Sequence, residues 1–477
     1  MDRSDFIKLT AAGTLGVPLW GSEKFTQSES TSDRESGQPN IIFIFVDDMG
    51  YADLSLTGNC KLETPNMDRI GKEGLLCTDF YVASPICSPS RVGVMTGQYP
   101  SRWRINSFLA TREKNKKREM ANYLDPQAPS LPRTMKEAGY ATAHFGKWHM
   151  GGGRDVDDAP LPQAYGFDES LVSFEGLGDR LLQKEHFLSE DSAQLDRGKI
   201  TWVEKWEKTG IYVDRTLDFI ERNQNNPFYI HLWPNDVHDP FKPKPEWRDE
   251  FSEYDNNHYQ RDFLAVLKNL DEQIGRVLDK LEEIGLAEDT MIVLTGDNGP
   301  TDWPRYYNQH YWPPGSADPF RGRKWSLYEG GIREPLLIRW PRKIKPGTVN
   351  ESSIVHAVDL FPSLCSMARV KPPEVNFDGE DLSEVLSADS EKQRNRPVMW
   401  EYGRTDDYLQ PGNPRFRSPN LAIRDGKWKL LVNDDGSGKE LYNLEQDHAE
   451  TTDIKDQHPQ ITNRLSQKVI NWRKSLP

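Results

Sequence analysis

The sequence predicts an α/β fold: a large, mostly parallel sheet flanked by helices, with a small C-terminal antiparallel α+β subdomain. Three observations carry this. Ile41 to Val46 is continuously apolar, as a strand covered on both faces should be, and Pro227 to Trp233 and Met291 to Thr295 repeat that design. Tyr259 to Ile284 places Phe263, Leu264, Leu267, Leu270, Ile274, Val277, Leu278 and Leu281 at helical spacing, an amphipathic helix between two such strands. From about Arg396 the pattern changes to short strands separated by turn signals.

Taken in order, residues 1–38 read as an export signal and linker. Met1 to Lys8 leads into a small, apolar stretch from Leu9 to Trp20, and Ser/Thr/Glu-rich sequence follows to Gln38. The start resembles a twin-arginine export signal, with Phe6 and Lys8 in place and Ser4 where the second arginine would stand. A periplasmic or secreted location is therefore expected, against the alternative of an ordinary disordered terminus.

Residues 39–395 form the α/β core. Its three buried strands run into Asp47-Asp48-Met49-Gly50, into Asn235, Asp236 and His238, and into Gly296-Asp297-Asn298-Gly299. Polar residues at the C-terminal ends of parallel strands are where such sheets place their sites. Residues 396–477 form the subdomain. Val398 to Tyr402, Leu421 to Arg424, Lys427 to Val432 and Lys439 to Leu444 read as strands, Asp425-Gly426 as a hairpin turn, and Pro459 to Lys474 as a closing helix.

Composition bounds the function. The 477 residues carry 60 Lys+Arg against 74 Asp+Glu, a net charge of −14. That argues against nucleic acid as a partner. At first sight it also disfavours a polyanionic substrate, although total charge does not describe one pocket. No run approaches the ~18 apolar residues of a membrane span. The cysteines Cys60, Cys77, Cys87 and Cys365 are too few for a disulfide scaffold; a Cys60–Cys77 bridge is compatible with export.

The most informative stretch is Cys87-Ser88-Pro89-Ser90-Arg91, continuing to Thr96-Gly97. Ser88 is a natural N-cap and Pro89 suits the first helical position. Cys87 is then at a helix N-terminus, where free N–H groups and the dipole favour an anion, with Arg91 one turn on. For an isolated cysteine the plain reading is a buried thiol before an ordinary helix.

This stretch matches the signature C-x-P-S-R followed by T-G, and from about Asn40 to Asn443 the chain resembles the formylglycine-dependent sulfatases of the alkaline-phosphatase superfamily. Asp47-Asp48 resembles the family's first metal pair and Gly296-Asp297-Asn298-Gly299 its second. Thr64-Pro65-Asn66 resembles the segment before its first helix. Gly146-Lys147-Trp148-His149 resembles its G-K-W-H, Asp236 to Pro240 its H-x-P, and Gly322 to Arg333, with Lys324, the segment carrying its second lysine. Each match is short; their shared order along one chain gives them weight.

The resemblance implies Cys87, Arg91, Lys147, His149, His238 and Lys324 as catalytic residues, and Asp47, Asp48, Cys87, Asp297 and Asn298 as the metal set. The four oxygen-bearing metal residues suit a hard cation, Ca²⁺ ahead of Mg²⁺; the competing reading is turn chemistry. Arg91, Lys147 and Lys324 would hold a sulfate through the transition state. The family oxidises this cysteine to formylglycine, which requires a formylglycine-generating or sulfatase-maturating enzyme as partner. One hydroxyl of its hydrate attacks sulfur with assistance from Asp297, and His238 or Lys324 protonates the leaving oxygen. His149 then deprotonates the second hydroxyl, so that sulfate is expelled.

For substrate binding the sequence offers Arg154 and Asp155 after the glycine run 151–153, and Arg305, His310 and Trp312 among aromatics between the second metal pair and Lys324. Aromatics interleaved with Arg and His suit an anionic sugar, so a sulfated saccharide is expected ahead of a simple aryl sulfate. The alternatives are loop packing for these residues, a formylglycine-dependent phosphodiester or phosphonate monoester hydrolase for the chemistry, and an inactive sugar-binding homologue.

Overall fold

The computed structural model describes residues 38–477; the export-like segment and all but the last residue of its linker lie outside them. Eleven strands form one sheet: β1 (Asn40–Val46), β2 (Leu75–Tyr81), β3 (Ala141–Lys147), β4 (Glu169–Ser173), β5 (Arg180–Gln183), β6 (Ile200–Val203), β7 (Phe228–Trp233), β8 (Thr290–Gly296), β9 (Arg333–Arg339), β10 (Thr348–Asn350) and β11 (Val355–His356). Their order is β10-β2-β9-β8-β1-β7-β3-β4-β5-β6, with β11 also on β2. Only β9 runs antiparallel to its neighbours, β2 and β8. β1 is central, pairing in parallel with β7 and β8.

The two faces of β1 explain its unbroken apolar run. Ile41, Phe43 and Phe45 enter one core with Val92, Met95, Tyr229 and Trp233. Ile42, Ile44 and Val46 enter the other, against Leu264, Leu267, Leu270 and Ile274 of the helix His258–Glu283. Alternate residues thus point to opposite, equally buried faces. β4 to β6 extend the sheet; they are short and broken by polar residues, and the apolar pattern does not reveal them.

Four more strands, β12 (Val398–Glu401), β13 (Leu421–Asp425), β14 (Trp428–Val432) and β15 (Glu440–Asn443), form a separate antiparallel sheet. One face packs on the helix Pro459–Lys474 through Leu465 and Val469. The other joins the main core through Trp400, Ala422, Leu431 and Tyr442. Trp400 Nε1 donates to the carbonyl of Val82 at 2.8 Å, joining the sheet to the segment after β2.

Two sequence expectations are corrected. Cys60 is exposed and Cys77 lies buried within β2; all four thiols are free, so the Cys60–Cys77 bridge is not formed. The helix of the signature stretch spans Cys87–Thr96 with Ile86 as its N-cap, two residues earlier than the serine suggests. Ser88 Oγ instead accepts a hydrogen bond from the N–H of Leu109 at 3.0 Å, a tertiary contact that outcompetes local capping. Among the described residues no helix is long and apolar enough to cross a membrane.

Candidate active site

The C-terminal ends of β1, β3, β7 and β8 converge with the first turn of the Cys87–Thr96 helix. β1 delivers Asp47 and Asp48, β3 Lys147 and then His149, β7 the loop to His238, and β8 Asp297 and Asn298. The helix approaches closely because residue 93 is glycine: a Cβ there would lie 2.4 Å from that of Ala83. Asp48 and His149 adopt left-handed φ values of 61° and 51°, strained for residues other than glycine and typical of sites held by their surroundings.

Cys87 is buried, its Sγ 3.2 Å from Asp47 Oδ1, 3.9 Å from Asp48 Oδ1 and 3.5 Å from Lys324 Nζ. Burial, together with Asp297 and Asp47, pushes its thiol up. Lys147 Nζ donates to both oxygens of Asp47, and Lys324 Nζ to Asp48. Although burial opposes ionisation, Lys147, His238, Arg91 and Lys324 hold Asp47 well below the usual carboxylate range. Asp297 moves the other way, pushed up by burial and by Asp47.

Arg91 is fully buried. It donates to Asp297 Oδ2 at 2.6 Å and to the carbonyl of Lys147 at 3.1 Å, with its guanidinium 5.1 Å from the Trp233 ring centroid. It braces an acid and the end of β3. His149 is buried edge-on to Phe174, and neither ring nitrogen has a partner. His238 Nδ1 donates to the carbonyl of Asp239 at 2.6 Å, which leaves Nε2 as an acceptor 3.7 Å from Asp48 Oδ2. Burial lowers His238 to about 4 despite the adjacent Asp47 and Asp48.

The donor set fits a divalent cation. One ligand atom each from Asp47, Asp48, Cys87 and His238 lies within 4.8 Å of the others. Asn298 Oδ1 is buried without a hydrogen-bond donor, and Asn298 Nδ2 donates to Asp48 Oδ1 at 2.8 Å. Facing acceptors with an orphaned amide oxygen are what a hard cation would satisfy.

A cavity of about 450 Å³ opens above Cys87 and is lined by His149, His238 and Lys324 among others. Of the substrate candidates, Arg154 and Arg305 line it, but each is ion-paired, to Glu175 and Asp239 respectively. Asp155, His310 and Trp312 are not among its lining residues. Asp155 accepts from the N–H of Arg112 at 2.9 Å, His310 is exposed, and Trp312 packs on Tyr307 and Phe416. Sequence reading missed His186, Phe187 and Phe108, which reach the cavity from distant loops and belong to no local motif. Phe187, 68% exposed, is a signal visible only in three dimensions.

Comparison with known proteins bears on this arrangement. The family model described as Sulfatase matches residues 39–370, and that described as N-sulphoglucosamine sulphohydrolase, C-terminal, matches residues 321–475. The chain is 28% identical over 511 residues to N-acetylgalactosamine-6-O-sulfatase of Bacteroides thetaiotaomicron, covering 92% of this chain and 94% of that protein. It is 31% identical over 396 residues to N-acetylgalactosamine-6-sulfatase of Canis lupus familiaris, covering 77% and 69%. Among solved structures, Ps i-CgsB in complex with k-i-k-neocarrahexaose superposes with a TM-score of 0.74 at 26% identity, covering 91% of this chain and 93% of that one.

Proposed function

The chain belongs to the sulfatase family and is a sulfuric ester hydrolase, and on that premise we propose that it removes sulfate from a saccharide, using Cys87 matured to formylglycine and a divalent cation. The observation that carries this reading is the position of Cys87: first in its helix, against Asp47 and Lys324, at the floor of an open cavity. Asp47, Asp48, Asp297 and Asn298 would hold the cation, with calcium ahead of magnesium. Bound there, it supplies Lewis-acid polarisation of the nucleophilic and sulfuryl oxygens.

The chain's own residues account for the rest. Three carboxylates, Asp47, Asp48 and Asp297, balance the three cations Arg91, Lys147 and Lys324, so a divalent ion makes the set net positive toward a sulfate ester. Lys147 and Lys324 bind and orient the sulfuryl group. His238, its Nδ1 fixed by a carbonyl, presents Nε2 toward the leaving oxygen, which protonated His238 or the Lys324 ammonium would supply with a proton. His149, with both ring nitrogens unpartnered, is the group free to take a proton in the second half of the reaction.

A saccharide is favoured by the cavity wall, where exposed Phe187 and the half-buried Phe108 and Trp303 stand among the lining residues with Arg154 and Arg305. The named activities of the two relatives make 6-sulfated N-acetylgalactosamine the first sugar to assay. A formylglycine-generating or sulfatase-maturating enzyme is the partner this reading requires, and residues 1–38 would direct export to the periplasm or beyond.

The test has two arms. Mass spectrometry of the Cys87 peptide, from chain co-expressed with a maturating enzyme, should show an aldehyde in place of the thiol. The matured chain should hydrolyse aryl and sugar sulfates, and Cys87→Ala should not. A persistent thiol, undiminished turnover by Cys87→Ala, or faster cleavage of a chromogenic phosphodiester than of its sulfate counterpart overturns the proposal.

A further inference from the structure

Behind His238 the main cavity continues into a recess of about 60 Å³, the two sharing Arg154, His238 and Asp239 in their walls. Two lysines line the recess, each only 6% exposed. Lys205 is saturated: its Nζ donates to the carbonyls of Asp236, His238 and Pro240. Lys208 is not. Among the described residues its side chain forms no hydrogen bond and no ion pair. Asp236, the carboxylate that partly offsets its charge, is held by Thr209 and Asn269.

One donor in the same wall is orphaned. Gln183 is 5% exposed, and its amide nitrogen is buried without an acceptor. A buried unpaired donor is costly, and one beside the ammonium groups of Lys205 and Lys208, in a wall whose carboxylates Glu175 and Asp239 are already paired with Arg154 and Arg305, calls for an acceptor that carries negative charge. Burial and the neighbouring Lys205 lower Lys208 to about 7, a penalty that a bound anion would reverse. The recess has room for one small group rather than a sugar ring.

We propose that this recess is a second anion subsite, receiving a further oxyanion substituent, a second sulfate or a uronate carboxylate, of the saccharide whose ester sulfate is cut at Cys87. The inference rests on the sulfatase reading above and adds a substrate class to it: sugars with at least two anionic groups. Lys208 and Gln183 contact the anion. Lys205 adds charge and holds the loop that carries His238.

The test compares 6-sulfated N-acetylgalactosamine, the same sugar with a second sulfate, and the same sugar linked to a uronate. All three are assayed as substrates of the matured enzyme and, by calorimetry, as ligands of the full chain carrying Cys87→Ala. One dianionic sugar should be preferred over the monosulfate by about tenfold to a hundredfold, as for a charged hydrogen bond, and its identity gives the source of the anion. Lys208→Met should bring that ratio near one, Gln183→Leu should lower it less, and Lys208→Arg should retain part of it. No preference in the parent protein, or a preference untouched by both Lys208→Met and Gln183→Leu, overturns the subsite. Absence of all sulfate-ester turnover by matured enzyme counts against the sulfatase reading alone, because the calorimetric ratio still tests the recess.

Discussion

The ammonium of Lys147 lies 2.7 and 2.8 Å from the two carboxylate oxygens of Asp47, both residues wholly buried beside Cys87. An amine so placed stabilises the acid and competes with any cation that acid binds. Lys147→Met should therefore act in opposite directions on two measurements. Turnover of sulfate esters should fall by about 10²–10³, the usual cost of losing a charge-stabilising donor. Divalent-cation affinity, read by calorimetry, should hold or rise, because a competing charge is gone. Weaker cation binding accompanied by normal turnover contradicts this assignment.

Cation removal follows from the acceptors that Asp47, Asp48, Asp297 and Asn298 bring together. Dialysis against a chelator should abolish turnover and lower the unfolding midpoint, and calcium should restore both more effectively than magnesium. At a free concentration a hundredfold above its dissociation constant, the ion adds about 2.7 kcal/mol to folded-state stability. Asn298→Ala should reduce that increment without abolishing it. A midpoint unaffected by chelator and by added calcium would count against the cation site.

The strand ends and the signature helix were legible because their residues are contiguous: Asp47-Asp48, Asp297-Asn298 and Cys87 to Arg91 each form a short local pattern. What failed was decided at long range. Ser88 looks like a cap but is claimed by Leu109, and Cys77 looks available to Cys60 but faces the core of β2. Lys208 is invisible in sequence, since a lysine two residues past a tryptophan reads as surface. Its burial follows from the fold of residues 180–240. The candidate sugar contacts were least legible: Asp155, His310 and Trp312 share a loop composition with Arg154 and Arg305 but not their position.

Acid sensitivity has a specific source. His144 is fully buried among Trp148, Phe167 and Trp233, with its Nδ1 3.5 Å from that of His231. Burial, reinforced by Arg91, lowers it to about 3. Its folded value lies below the unfolded one near 6.5, so the unfolded chain binds more protons between the two. The stability is fully present above about pH 6.5 and is lost as pH falls toward 3. Urea unfolding at pH 7 and pH 4.5 should differ by about 2–3 kcal/mol from this residue, and His144→Phe should remove that part of the difference. An unchanged difference in the variant would assign acid lability elsewhere.

The C-terminal sheet is tied to the site by a buried triad. Lys429 on β14 lies 2.8 Å from Glu329 and 2.9 Å from Glu450, all three side chains fully buried, and the N–H of Glu329 donates to Glu450 at 2.6 Å. Glu329 lies in the segment that carries Lys324, five residues on. Burial opposes its ionisation, yet Lys429 and Arg333 hold it below the usual range, while burial pushes Glu450 above it. Lys429→Met leaves two buried carboxyls without their shared cation, at a cost of about 3–5 kcal/mol. In that variant both carboxyls have raised folded values, so the loss should be small near pH 4 and grow as pH rises through neutrality. Adding Glu329→Gln should recover part of it, because only one acid then remains to be neutralised. Denaturant midpoints at pH 5 and pH 8 for the single and double variants measure this directly. Equal stability of Lys429→Met and the parent at pH 8 would mean that the triad contributes nothing to holding the sheet against the Lys324 segment.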